Sequence, residues 1–190
     1  MRNLHLSMSA VEVRRLNWGC GNWTPEGWIN SDIKDEPGVD LPCDIRKGGL
    51  PLENDSIDYA VSIHALPEFF LDEIIPVLEE LRRVLKPGGW IRLGLPDLIK
   101  GVEAYQRGDT DYFLIPDEDA KSIGAKLVWQ LNWYGYSKTL FTREFIEEML
   151  VKAGFARVHH CAFHESQAPW PEIVTLDNRE QESLFVEAVK

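Results

Sequence analysis

The sequence lacks any apolar run long enough to cross a membrane. A spanning helix needs at least about 18 consecutive apolar residues, and every longer stretch of this 190-residue chain is interrupted by charged or polar side chains. The opening residues, MRNLHLSMSA, also lack the apolar core of a secretory signal. We therefore expect a water-soluble protein that is not exported and does not act at a membrane.

Cysteine is scarce, and its few positions exclude a disulfide framework. The chain contains three cysteines, Cys20, Cys43 and Cys161, and this odd number is widely spaced along the sequence. Small secreted domains instead use even sets of closely spaced cysteines. The pattern predicts reduced thiols and a cytoplasmic location.

Basic charge is also in short supply. The chain carries 20 Lys and Arg against 31 Asp and Glu, for a net charge of −11. A nucleic-acid substrate requires a basic face, whereas the longest basic clusters here are pairs such as Arg14-Arg15 and Arg82-Arg83. We therefore expect a small or neutral substrate and no nucleic-acid partner, while the oligomeric state stays open.

The chain has no internal repeat and no low-complexity linker, which indicates one domain over residues 1–190. Hydrophobic patterns predict strands that alternate with helices, and this order favours a mainly parallel sheet with helices on both faces. Predicted strands cover 12–18, 28–32, 39–43, 56–63, 90–96, 155–163 and 183–189. Predicted helices cover 70–85, 97–107, 117–133 and the stretch between Thr142 and Gly154. The last strand is expected to be antiparallel, at or near a sheet edge.

Two proline-containing sites are predicted to shape the helix over 70–85. Pro76 lies inside its apolar stripe and is expected to kink it or to open its main part. The sequence KPGG, at 86–89, is expected to end it.

The stretch RLNWGCGNW, at 15–23, contains two glycines one residue apart at the end of the first predicted strand. A dinucleotide-binding turn would need a third glycine at position 24, where Thr24-Pro25 stands instead. The short distance from Gly19 to Trp28 also leaves no room for a crossover helix that could hold a pyrophosphate. A ligand without phosphates stays possible, and Asp32 is placed to bind the two hydroxyls of a ribose.

Four motifs in order resemble the class I S-adenosylmethionine-dependent methyltransferases. They are LNWGCGN, GWINSDI, CDIRKGGLPLENDSIDYAVSIHAL and LRRVLKPGGWIRLGLPDL. The sequence is most similar to a small, methyltransferase type 11-like branch with an abbreviated first crossover. This resemblance implies a Rossmann-like, doubly wound, mostly parallel sheet of seven strands with an antiparallel strand near the C-terminus. The sequence departs from the family pattern at Asn22, which replaces a third glycine, and at HALPE, where Glu68 replaces a second histidine.

The same resemblance implies S-adenosylmethionine as cofactor and S-adenosylhomocysteine as product. Asp32 is expected to bind the ribose, Asp44 the adenine amino group, and Ile63 and His64 to border the sulfonium. The implied cofactor residues are Gly19, Cys20, Gly21, Asp32, Ile33, Asp44, Ile45, Ile63 and His64. The two aspartates could alternatively cap turns, and Cys20 is expected to be a small buried side chain, not a nucleophile.

Methyl transfer places modest demands on acid–base chemistry. Orienting two bound reactants contributes about 7–11 kcal/mol, whereas a general base contributes about 10²–10⁴-fold in rate. His64 and Asp97 are the candidate bases, because both follow strands at the expected ligand edge. His64 could instead only shape the pocket, and Asp97 could cap a helix.

The histidines and aromatic residues of the C-terminal half allow further predictions. His159, His160 and His164 lack a third ligand at a recognisable spacing, so no metal is expected. The segment 108–141 is predicted to be a substrate-side insertion, and its part 117–136 is predicted to cover the acceptor. The substrate candidates are Trp129, Trp133 and Tyr134, with plain core packing as the alternative. Arg179 and Glu182 are expected to be loop charges.

These observations together favour a methyltransferase that acts on a small or neutral acceptor, by O- or N-methylation. A non-catalytic, S-adenosylmethionine-binding or regulatory module is the alternative, and it gains weight if the altered HALPE motif has lost substrate chemistry. A nicotinamide-dependent oxidoreductase is disfavoured by Thr24-Pro25.

Overall fold

The computed structural model describes residues 13–190, which form seven strands and four α-helices. The strands are β1 (Arg15–Trp18), β2 (Ile29–Asp32), β3 (Leu41–Pro42), β4 (Ile57–Ile63), β5 (Leu85–Pro96), β6 (Ala156–Cys161) and β7 (Ser183–Val189). The helices are α1 (Leu71–Val84), α2 (Leu98–Arg107), α3 (Ile123–Asn132) and α4 (Arg143–Lys152). Glu12, the predicted first residue of β1, lies outside the described residues.

All seven strands belong to one sheet with the order β3-β2-β1-β4-β5-β7-β6. The pairs from β3 to β5 are parallel, and β7 runs antiparallel to both of its neighbours, β5 and β6. The predicted fold class is therefore confirmed, and β7 lies one strand from the edge. The chain reverses its strand order between β1 and β4, and ligands of such sheets bind beyond the carboxyl ends of the strands at this point.

One face of the sheet is covered by α1 and α4. Apolar side chains recur at helical spacing along α1, and Ile74, Leu78 and Leu81 are fully buried there. They share one hydrophobic cluster with Ile146 and Leu150 of α4 and with the strand residues beneath. This face therefore forms as the amphipathic patterns of the two helices predict.

The opposite face differs from the expectation of helices on both faces. Its hydrophobic cluster is closed by the connection between β6 and β7, which contains only a short 3₁₀-helix over Pro171–Val174. Trp170 of this connection stacks on Tyr59 at 5.2 Å, and Ile173 is fully buried. The links from β1 to β2 and from β2 to β3 are too short to supply helices, so a loop covers the space that they leave.

A buried guanidinium fastens this connection to the sheet. Arg92 of β5 donates to both carboxylate oxygens of Asp177, at 2.7 and 2.5 Å, and to Glu187 at 2.7 Å. It also donates to the carbonyls of Glu165 and Ala162. All three charged side chains are fully buried, so the guanidinium replaces lost hydration with five hydrogen bonds.

The two proline-containing sites occupy different positions relative to α1. Pro76 lies inside an unbroken α1, on its exposed side, where water can bond the carbonyl that a proline leaves free. The helix ends at Val84, before KPGG, and KPGG forms part of β5, where the pairing register with β4 shifts. The predicted end of the helix at KPGG is therefore confirmed to within one residue, whereas the strand predicted over 90–96 begins earlier, at Leu85.

The predicted helix over 117–133 starts later than expected. Ser122 caps α3 by accepting a hydrogen bond from the amide of Ala125, so the helix covers only Ile123–Asn132. The expected side-chain cap of Thr142 on α4 is confirmed, because its hydroxyl accepts from the amide of Phe145. Both outcomes follow from hydroxyl caps, which satisfy amides that a helix start leaves unpaired.

Replacing Arg92 by methionine should strongly destabilise the fold. The change leaves Asp177 and Glu187 buried without their cation, and removing one partner of a buried ion pair costs about 3–5 kcal/mol. Lys152→Met removes an exposed pair with Glu148 and should cost at most about 0.5 kcal/mol. Urea unfolding measures both free energies, and equal losses in the two variants would contradict the role given to Arg92.

Candidate active site

A cavity of about 420 Å³ opens at the carboxyl ends of the parallel strands. This volume lies in the usual range for small-molecule sites, about 300–1,000 Å³. All nine residues that the resemblance assigns to the cofactor line this cavity: Gly19, Cys20, Gly21, Asp32, Ile33, Asp44, Ile45, Ile63 and His64. The structure thus brings together residues that follow four different strands.

The first turn needs glycine for two reasons. Gly19 and Gly21 have φ angles of 68° and 52°, and a Cβ on Gly19 would lie 2.1 Å from the Cβ of Ala65. The amides of Gly19 and Cys20 donate to the carbonyl of Ser31, and that of Gly21 donates to Asp32. These three backbone amides are therefore engaged within the protein.

Two buried asparagines hold the short link from β1 to β2 in place. The Asn17 amide donates to the carbonyl of Trp23 at 2.8 Å and to the Asn30 side chain at 2.9 Å. The backbone amide of Asn30 donates to Asp40 at 2.8 Å. These bonds fix the cavity wall that a crossover helix would otherwise support.

Asp32 at the end of β2 presents a carboxylate to the cavity. One of its oxygens accepts from the amide of Gly21 at 2.9 Å and the other from the amide of Lys34 at 3.1 Å. A carboxylate has about four acceptor sites, so these bonds orient Asp32 and leave positions for ligand hydroxyls. Glu68 lines the same cavity, and partial burial together with the charge of Asp32 raises its pKa.

Asp44 is held by a residue that the sequence analysis did not single out. Arg46 donates through Nε and Nη2 to the two oxygens of Asp44, at 2.7 and 3.0 Å. These hydrogen bonds lower the pKa of Asp44. The guanidinium also lies over the ring of Phe69 at 5.4 Å. Arg46 follows Asp44 by two residues, a spacing from which an arginine can reach back.

His64 lies at the end of β4 in a left-handed conformation, with φ of 60°. Its backbone amide donates to the carbonyl of Gly94, and its Nε2 is 2.8 Å from the hydroxyl of Ser183. Burial of the imidazole, together with the nearby Arg179, lowers the pKa of His64 to about 3. The side chain is therefore neutral at ordinary pH and weakly basic.

Asp97, the second candidate base, lies outside the lining of this cavity. Its carboxylate accepts hydrogen bonds from the amides of Ile99 and Lys100 and thereby caps α2. The structure therefore agrees with the alternative in which Asp97 caps a helix.

The aromatic segment contributes to the cavity through some of its residues. Trp133 lines the cavity together with Gln130 and Tyr136, whereas Trp129 and Tyr134 are not among the lining residues. Tyr134 donates its hydroxyl to Asp119 at 2.6 Å and meets the ring of Trp129 edge-on. Only one of the three predicted substrate contacts therefore reaches the site.

Arg179 and Glu182, predicted to be loop charges, both line the cavity. The guanidinium donates to Glu182 Oε1 at 2.9 Å and lies over the ring of Trp133 at 4.8 Å. An antiparallel β7 beside β5 places the residues before Ser183 at the ligand edge. The predicted strand direction therefore contained a signal for these two residues.

In the part of the chain that the structure describes, we find no cysteine or histidine arranged as a nucleophile or as a metal ligand set. Burial and the charge of Asp32 raise the pKa of Cys20 to about 11, so this sulfur is a thiol. His159 stacks on Trp90, and His160 contacts Glu147. Within residues 13–190, no three His, Cys, Asp or Glu side chains are grouped as a metal site requires.

The lowered pKa of His64 predicts a specific pH dependence of stability. The unfolded chain protonates His64 below a pH of about 6.5, whereas the folded protein does so only near pH 3. The free energy of unfolding should therefore decrease as pH falls from about 6.5 towards 3, and His64 should add no slope above that range.

His64→Asn tests this dependence, because asparagine tolerates a left-handed backbone. Urea unfolding of wild type and variant across this pH range should give a shallower loss of stability in the variant. Parallel curves would show that His64 titrates normally in the folded protein.

Comparisons with known proteins identify a methyltransferase-domain match over part of the chain that lines the cavity. The family model of the methyltransferase domain matches residues 30–93, which include Asp32, Asp44 and His64. A search of curated proteins gives no match. No helix within 13–190 has the length and apolarity needed to cross a membrane.

Several solved structures share the fold. A Mesorhizobium loti S-adenosylmethionine-dependent methyltransferase is 21% identical, with a TM-score of 0.55, covering 94% of this chain and 91% of its own. A Thermotoga maritima methyltransferase, described as a possible histamine N-methyltransferase, is 19% identical, with a TM-score of 0.54 and coverages of 95% and 84%.

A third similar structure is phosphoethanolamine N-methyltransferase 2 of Haemonchus contortus, in complex with phosphomonomethylethanolamine and S-adenosylhomocysteine. It is 15% identical, with a TM-score of 0.53, and the alignment covers 97% of this chain and 50% of that protein. At these identities the likeness shows the fold. The model of the methyltransferase domain matches residues 30–93 of the 190, and S-adenosylmethionine-dependent methyltransferases are among the solved structures that share the fold.

Proposed function

We propose that this protein transfers a methyl group from S-adenosylmethionine to an oxygen or nitrogen atom of a small acceptor. The observation that carries the proposal is the convergence of nine residues, predicted from separate motifs, on the lining of one cavity. Parallel strands bring the residues that follow them to one edge of the sheet, and here that edge carries a cavity lined by the glycine turn and by the carboxylates of Asp32 and Asp44.

The cofactor residues have geometries that fit their proposed roles. Asp32 has acceptor positions left for the ribose hydroxyls, and Asp44 is a fixed carboxylate for the adenine amino group. A Cβ on Gly21 would meet no atom within 4 Å, so the turn leaves open space for a ligand. His64 would border the sulfonium at the end of β4.

The acceptor side is proposed to be formed by the insertion 108–141. Lys138 and Thr139 donate backbone hydrogen bonds to the carbonyl of Pro67, and the Thr139 hydroxyl donates to the carbonyl of Phe69. These bonds fasten the end of the insertion beside the cavity. Trp133, which precedes this anchor, is then placed to exclude water and orient the acceptor.

The residues of the site favour catalysis by orientation. When bound, S-adenosylmethionine supplies a methyl group on a good leaving group. His64 is neutral and can accept a hydrogen bond, but its low pKa makes it a weak base. Positioning by the cavity walls is therefore proposed as the main contribution of the protein.

The rival function is a non-catalytic module that binds the same cofactor. Two observations favour it: Glu68 stands in the altered HALPE motif, and His64 has little basicity. Transfer of radioactive label from the methyl group to any acceptor would exclude this rival.

The three cysteines are free thiols, which supports the proposed cytoplasmic location.

Calorimetry with S-adenosylhomocysteine and NAD tests the cofactor. Binding of the first without the second is expected, because the turn after β1 lacks the helix that would hold a pyrophosphate. Tight NAD binding with no heat from S-adenosylhomocysteine would contradict the proposal.

Asp32→Ala should weaken S-adenosylhomocysteine binding about 10- to 150-fold, since hydrogen bonds to a charged group contribute about 1.5–3 kcal/mol. Asp35→Ala, an exposed carboxylate on the same loop, is the matched control and should bind like wild type. An unchanged dissociation constant in a folded Asp32→Ala protein would remove this residue from the site.

A further inference from the structure

We propose that the Arg179–Glu182 pair binds a small zwitterionic acceptor, one with a carboxylate and an amine close together. This inference rests on the proposed methyl transfer and narrows its acceptor class. Arg179 would hold the carboxylate, and Glu182 would accept hydrogen bonds from the amine.

The pair is built into the cavity wall. The Glu182 side chain is 5% exposed and the Arg179 side chain 36% exposed. Among the described residues, Glu182 is the one group that accepts a hydrogen bond from this guanidinium, through Nη1. The indole of Trp133 supports the other side of the guanidinium at 4.8 Å. The remaining N–H donors of a planar guanidinium can therefore bond a ligand.

The position of the pair assigns it to the acceptor. Ser183 follows Glu182 directly and contacts His64, which is expected to border the sulfonium. The pair thus lies beside β4 and β5, whereas Asp32 and Asp44 lie after β2 and β3 on the other side of β1. A ligand group on Arg179 would be on the far side of the sulfonium from the adenosine.

The backbone supports this assignment. His64, Trp133 and Arg179 come from three distant segments of the cavity lining, and they are three of the seven non-glycine residues with a positive φ in residues 13–190, with φ of 60°, 41° and 57°. Such conformations are costly for residues other than glycine, and they concentrate at functional sites. Asp177, bound to Arg92, anchors the chain two residues before Arg179.

The charge balance selects a zwitterion. A ligand that is only anionic would share the guanidinium with Glu182, so that two carboxylates would stand against one cation in a partly buried site, which is costly. A ligand with both charges compensates each member of the pair. One guanidinium balances the single charge of a carboxylate better than the charge of −1.5 to −2 on a phosphate ester.

The amino-acid end of S-adenosylmethionine is also a zwitterion, so the first experiment separates the two sources. Calorimetry compares S-adenosylhomocysteine with 5′-methylthioadenosine, which lacks that end, on wild type, Arg179→Gln and the surface control Arg107→Gln. All three proteins should bind each ligand within about threefold. An Arg179→Gln protein with at least about tenfold weaker binding of S-adenosylhomocysteine alone would assign the pair to the cofactor and overturn the inference.

The second experiment identifies the acceptor class. A protein-free cell extract is separated on a cation exchanger in acid and an anion exchanger in base. Each fraction is then incubated with methyl-labelled S-adenosylmethionine and the wild-type protein or one of its variants. Label should enter the fraction that both resins retain. Arg179→Gln and Glu182→Gln should reduce it at least about tenfold, and Arg107→Gln should not. Thermal unfolding and S-adenosylhomocysteine binding verify that each variant is folded.

The outcomes separate the inference from the function on which it rests. Label in the neutral fraction, or in a fraction retained by one resin only, overturns the zwitterion and leaves methyl transfer intact. Equal labelling by Arg179→Gln and wild type also overturns the zwitterion and leaves methyl transfer intact. No label with any fraction contradicts the proposed methyl transfer itself, and the inference falls with it.

Discussion

The buried guanidinium of Arg92 connects the sheet to the loop between β6 and β7. It lies within the sheet, on β5, and binds Asp177, Glu187 and two carbonyls of the connection before β7. Within residues 13–190, the hydrophobic cluster on one face of the sheet is covered by this connection and not by a helix. The same bonds set the path of the chain into Arg179 and Glu182, so one buried ion network supports both the core and the proposed acceptor side of the cavity.

The cavity divides into a half built from local motifs and a half built from distant segments. The proposed cofactor half uses residues at the ends of strands β1 to β4, where strand direction decides which residues reach the ligand edge. The proposed acceptor half combines His64, Trp133 and Arg179, which come from the end of β4, the segment 108–141 and the connection before β7. An enzyme built this way can keep its cofactor site while the acceptor walls change.

This division explains what the sequence could predict. Gly19, Asp32 and Asp44 could be found because each lies in a short motif next to a predicted strand. Arg179 and Glu182 were missed because their position depends on a strand that pairs with β5 across nearly half of the chain. Trp129 and Trp133 differ for a related reason, since residue type does not tell which side of a short helix faces a cavity.

Two features of the structure could not be predicted from sequence patterns alone. The cover of the second sheet face could not be predicted, because a loop with one short 3₁₀-helix has no hydrophobic period to recognise. Asp97 could be read as a base or as a cap, and only the two amide bonds to its carboxylate distinguish the roles.

The central claim is that this cavity binds S-adenosylmethionine with the ribose at Asp32 and the sulfonium at His64. A crystal structure with S-adenosylhomocysteine tests it most directly. The account predicts ribose hydroxyls on the Asp32 carboxylate, adenine beside Asp44, the sulfur facing His64, and no cofactor contact with Arg179. Electron density for the ligand outside this cavity, or with its ribose away from Asp32, would contradict the account.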